Sequence, residues 1–121
     1  MVKVEEFKKK IETILSQDCN IEFLGDNFDH IVLLISETKA DKIYSWIEQV
    51  LKKDIRPIVI GSTRRYKDWT ANQLLTFRFP LNLENTQYRI LLVKVKNSVY
   101  IEFQVGNHRY YDKVRKDLDL A

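Results

Sequence analysis

The sequence predicts an α+β protein in which an antiparallel meander sheet packs on amphipathic helices. Three observations carry that prediction. Apolar residues recur at helical spacing in two segments, 4–15 and about 39–53, and three later segments alternate with the period of two expected of strands. The composition, 45% hydrophobic and 31% charged with three Gly and two Pro, is that of an ordered globular chain. Its 121 residues are enough for one hydrophobic core and too few for two, so the reading is a single domain over 1–121.

The elements follow in order. Val4, Phe7, Ile11, Ile14 and Leu15 form an apolar stripe on a first helix whose other face is Lys and Glu. N-I-E-F-L then alternates until G-D-N, a turn signal, and F-D-H-I-V-L-L-I-S reads as a second, more buried strand over about 28–36. These two strands are expected to pair as a hairpin. Thr38 followed by Asp41 resembles a capping box, after which Ile43, Trp46, Ile47, Val50 and Leu51 define a second helix. Residues 54–73, broken by Pro57 and Gly61 around a short I-V-I run, read as an irregular basic surface segment. The meander comes next: L-L-T-F-R-F up to Pro80, Y-R-I-L-L-V-K-V, and V-Y-I-E-F-Q-V, with Asn97 and Ser98 as a tight turn between the last two. Alternation places Leu75, Phe77, Phe79, Val99, Ile101, Phe103 and Val105 toward the helices. It leaves Thr76, Arg78, Tyr100, Glu102 and Gln104 on an open face.

Several function classes lack support. The longest apolar run, I-V-L-L-I, is five residues, far short of the roughly 20 that cross a bilayer as a helix. The charged N-terminal stretch is unlike a secretory signal, and the one cysteine, Cys19, allows no intrachain disulfide; both point to the cytosol. No Cys/His cluster for zinc, glycine-rich phosphate loop or Gly-x-Ser-x-Gly elbow occurs, and no cofactor or metal is implied.

What the sequence does concentrate is phosphate chemistry. From Arg56 to Arg78 five basic residues (Arg56, Arg64, Arg65, Lys67 and Arg78) face one acid, Asp68, although the whole chain carries a net charge of only +3. The last strand runs into V-G-N-H-R-Y-Y-D, where Gly106 and Asn107 suit a turn at positive φ. Arg78, Arg89, His108, Tyr110 and Tyr111 are expected to converge near the open face, with the 64–67 loop beside it. Arginine forks grip phosphate oxygens, histidine exchanges protons near neutrality, and tyrosine stacks on bases or bonds phosphate. RNA brings its own nucleophile, the 2′-hydroxyl, so cleavage needs no metal. Each residue has a quieter reading: His108 as a polar loop residue, the tyrosines as sheet-edge packing, Arg89 in an internal salt bridge, and Asp112 as the cap of a short helix, D-K-V-R-K-D-L. His30 and Trp46 read as structural, and Trp69 as core, RNA stack or interface.

The order strand, helix, basic segment, meander resembles the RelE/ParE superfamily of bacterial toxins. The match is best to the HigB branch, through Q-Y-R-I-L-L-V at 87–93 and G-N-H-R-Y-Y-D-K-V at 106–114. The resemblance covers about 28–121 and leaves 1–27 as an N-terminal helix-strand extension. It implies a toxin of a type II toxin-antitoxin system that cuts messenger RNA on the ribosome without a metal and is silenced by a co-encoded helix-turn-helix antitoxin. His108, Tyr111, Arg89 and Asp112 then fall at catalytic positions. Arg64, Arg65, Lys67, Arg78 and Tyr110 would hold RNA. The alternatives are a non-catalytic binding protein of the same fold, such as a topoisomerase-directed toxin or a phage or plasmid accessory factor, and a plain interaction module.

Overall fold

The computed structural model describes residues 3–15, 20–60, 74–95 and 100–117. Among them the chain is α+β, with a five-stranded mixed sheet and four helices.

Helix α1 (Val4–Leu15) has the limits its periodicity predicts. Phe7, Ile11 and Leu15, one turn apart along a single stripe, are buried, while Glu5 and Glu6 sit in the first turn where the helix dipole favours carboxylates. Strand β1 (Asn20–Gly25) follows. It does not form the expected hairpin: it pairs in parallel with strand β5 (Tyr100–Asn107), from Asn20 opposite Tyr100 to Gly25 opposite Val105. Gly25 is required by this pairing, because a Cβ there would overlap the Val105 carbonyl.

The second half of that hairpin is not a strand either. Phe28–Leu33 is a short helix, α2, entered through Asn27 at φ 58°. Phe28, Ile31, Val32 and Ile35 fall at i, i+3, i+4 and i+7, so a helical turn aims all four at the core, whereas a strand would have split them between two faces. Helix α3 (Glu37–Leu51) starts two residues before its predicted limit. Its N-cap is Ser36, whose Oγ accepts the Lys39 N–H at 3.2 Å, and Thr38 and Asp41 lie inside the helix instead of forming a capping box.

The I-V-I run in the segment read as irregular is a three-residue strand, β2 (Ile58–Ile60), antiparallel to β3 (Leu74–Leu83). Strand β3 continues through Pro80 and turns at Glu84 and Asn85, both at positive φ (47° and 65°), into β4 (Thr86–Val95). Pro80 lies where β3 has β4 on one side while β2 reaches only as far as Thr76 on the other, an edge position of the kind that tolerates proline. The turn expected at Asn97 and Ser98 lies outside the described residues. The sheet order is β1-β5-β4-β3-β2, with β3, β4 and β5 the predicted antiparallel meander.

One face of the sheet carries the core. Phe77, Leu81, Ile90, Leu92, Ile101, Phe103 and Val105 pack there with α1, α2 and α3. Phe103 is the hub, with ring centroids of Phe23, Phe7 and Phe28 at 5.8, 5.9 and 6.5 Å, and Trp46 meets Phe79 at 5.2 Å. No helix among the described residues is long and apolar enough to cross a membrane.

Candidate functional site

The opposite face was expected to be open. It is covered, because the chain after β5 forms a ten-residue helix, α4 (His108–Asp117), that lies back across β4 and β5. Leu91, Glu102 and Gln104 on this face are buried, as are Val93 and, beside β2, Thr76. The strand alternation was right about facing and uninformative about what lay above.

Three features seat α4. Asn107 caps it, with Oδ1 accepting the Tyr110 N–H at 2.9 Å, so Asp112 is an interior helical residue and not the cap of a shorter helix. Neither Gly106 nor Asn107 has a positive φ. Glycine is needed at 106 for a different reason: a Cβ would lie within 2.7 Å of Tyr110 Cδ1, Cγ and Cβ. Finally, a polar chain runs through the buried layer. The Tyr110 hydroxyl donates to Gln104 Oε1 at 2.8 Å, and Gln104 Nε2 donates to Glu102 Oε1 at 2.8 Å. Burying an amide and a carboxylate is tolerable only when they are hydrogen-bonded, and this chain links them.

The register then assembles the site. Arg78, Leu91 and Gln104 form one rung across β3, β4 and β5, and Pro80, Arg89 and Gly106 form the next on the same face. Arg78 and Arg89 are thus diagonal neighbours. Helix α4 lays Tyr111 over both: Arg78 Nη1 donates to the Tyr111 hydroxyl at 3.1 Å, and the Arg89 guanidinium carbon stands 5.0 Å from the centre of the Tyr111 ring. Tyr111 is only 5% exposed, which fixes its ring, while Arg78 remains exposed and Arg89 half-buried. Two guanidinium groups and one phenol from three elements therefore meet at one rim.

The other expected members stand around this trio in different ways. His108 is at the first turn of α4, with its side chain 61% exposed and Nε2 3.7 Å from Asp112 Oδ2 one turn later. Tyr110 faces the sheet, bonded to Gln104, and is not presented for stacking. Arg64, Arg65, Lys67 and Trp69 lie outside the described residues. Trp46 is in the core, and His30 is exposed on α2. Sequence reasoning missed Gln104 as the residue that anchors α4 and Asn107 as its cap. The second had a readable signal, an Asn placed immediately before a helix-compatible stretch. The first did not, since a Gln on the outer face of a strand is usually solvated.

Among the described residues no group of three or more His, Cys, Asp or Glu could hold a metal ion. A shallow space of about 440 Å³ lies elsewhere, between α3 and β3 beside Lys42, Trp46 and Phe79. Comparison with protein-family models, curated proteins and solved structures finds no match for the chain.

Proposed function

We propose that the chain is a metal-free endoribonuclease toxin of RelE/ParE type, closest to the HigB branch, which cuts messenger RNA on the ribosome and is held in check by a co-encoded antitoxin. The observation that carries the proposal is the meeting of Arg78, Arg89 and Tyr111, separated by 11 to 33 positions in sequence, at one rim where Arg78 is exposed, with His108 one helical turn away. Two arginine forks supply the charge that a pentacoordinate phosphate demands, and a phenol and an imidazole supply proton transfer. The exposed Arg109, Lys113 and Lys116 add positive charge to α4. Of the residues that carry the family resemblance, Arg89 of β4 and His108, Tyr111 and Asp112 of α4 stand at or beside this rim, whereas Tyr88 packs against the core.

Expression of the intact chain should arrest growth and yield new messenger RNA 5′ ends inside translated codons. His108→Gln and Tyr111→Phe should each abolish both effects. Arg89→Ala should weaken cleavage and RNA binding together, with circular dichroism showing every variant folded. Full toxicity in the His108 and Tyr111 double variant would reject catalysis and favour a binding protein of the same fold, such as one directed at a topoisomerase.

A further inference from the structure

The hydrogen-bond directions at the rim separate two proton-transfer roles that residue identity alone leaves interchangeable. A guanidinium has five N–H donors and no acceptor, so in the 3.1 Å contact with Arg78 the Tyr111 oxygen must accept. The phenol's own hydrogen is therefore directed away from Arg78. A phenol acting as base would first have to shed that proton. A phenol acting as acid already carries what it must give. As it gives it, negative charge grows on an oxygen that Arg78 touches and on a ring that Arg89 covers at 5.0 Å.

His108 has the opposite surroundings. Its imidazole is exposed, and its ion-pair partner is the Asp112 carboxylate, 3.7 Å from Nε2. The Asp112 carboxylate holds one side of the ring, and the exposed imidazole can take a proton from substrate and pass it to solvent. Asp112 positions the ring and need not touch the substrate.

We infer that Tyr111 is the general acid and His108 the general base of this site, with Arg78 as the positioning residue that sets the phenol to donate; the inference rests on the ribonuclease reading. His108 removes the 2′-hydroxyl proton, the 2′-oxygen forms a bond to phosphorus, and the phosphorus–O5′ bond breaks as Tyr111 delivers its proton to O5′. The products are a 2′,3′-cyclic phosphate and a 5′-hydroxyl. The tyrosine is reprotonated from water as the imidazolium loses its proton to water.

The test compares two synthetic messenger RNAs on programmed ribosomes, one ordinary and one with sulfur replacing the bridging 5′-oxygen at the cleaved codon. A thiolate leaves without protonation, so the sulfur substrate needs no acid. Tyr111→Phe should cut the oxygen substrate about 10² to 10⁴ times more slowly than wild type, yet cut the sulfur substrate within about tenfold of it. Arg78→Gln, at an exposed position that does not threaten the fold, should show the same pattern more weakly. His108→Gln should be slow on both. Equal slowing of Tyr111→Phe on the two substrates, or rescue of His108→Gln by sulfur, overturns the assignment while leaving the ribonuclease reading intact. A wild type that cuts neither substrate overturns the reading and the assignment together.

Discussion

Gly106 and Tyr110 are closely fitted on the sheet face beneath α4, and the fit can be measured. Adding one methyl at 106 forces the Tyr110 ring off the sheet, and the atoms it meets are at the root of the ring, which cannot swing aside as the tip of a flexible chain would. Gly106→Ala should cost about 1–3 kcal/mol in urea denaturation, the usual range for overpacking. In a Tyr110→Ala background that cost should largely vanish, and an unchanged cost would show that the strain is not between these two residues. A second residue gives a pH signature. The Tyr44 hydroxyl is held above the ordinary phenol range by burial, and then by the Asp41 and Glu6 carboxylates. The folded chain therefore keeps a proton that the unfolded chain releases near pH 10. This contribution is complete below that pH and lost as pH rises through the folded value. The stability of wild type should accordingly fall more steeply than that of Tyr44→Phe above about pH 10; parallel curves would contradict the assignment.

At the scale of elements, the caps decide where helices begin. Ser36→Ala removes the acceptor for the Lys39 N–H and should destabilise the chain by about 0.5–2 kcal/mol, read from the thermal or urea midpoint. Thr38→Ala, two residues further on in the first turn, should change stability by less than about 0.5 kcal/mol, since the cap bond is made by Ser36. The reverse order of effects would restore Thr38 as the cap. Helix α4 depends on its cap and its polar anchors more than on apolar area, because only Tyr111 and Val114 of its described side chains are buried hydrophobics. That economy leaves its remaining faces for charge.

For the whole molecule the decisive feature is that the first helix and strand share the core of the later sheet. Phe103 is fully buried against Phe7 of α1, Phe23 of β1 and Phe28 of α2. Phe103→Ala should cost about 3–5 kcal/mol, a large fraction of the stability of a domain this size. Removing residues 1–27 exposes the inner edge of β5 and strips Phe7, Ile11, Leu15 and Phe23 from the core. The truncated chain should lose near-ultraviolet circular dichroism and dispersed amide resonances. A folded, soluble monomer would show instead that α1 and β1 are dispensable.

Local pattern was sufficient where an element's neighbours do not alter its period. The set Val4, Phe7, Ile11, Ile14 and Leu15 would split between the two faces of a strand but shares one face of a helix, the run from Ile43 to Val50 likewise, and alternation placed Phe77, Phe79, Ile101, Phe103 and Val105 toward the core and Thr76, Arg78, Glu102 and Gln104 on the opposite face. It failed at 28–35, where the apolar run 31–35 is compatible with a buried strand while Phe28, Ile31, Val32 and Ile35 also fit a helix. The choice belonged to β5, which takes β1 as its parallel neighbour from about 80 residues away in sequence. The candidate site divides in the same way. The residue types were readable, since Arg78, Arg89, His108 and Tyr111 are suited to phosphate whatever the fold. Their arrangement was not, because a strand's alternation says which face a side chain takes but not what covers that face. Only the return of α4 across the sheet buries Glu102 and Gln104, turns Tyr110 inward, and sets the Tyr111 oxygen as the acceptor of Arg78; these are contacts between distant segments, created by packing and carried by no local period.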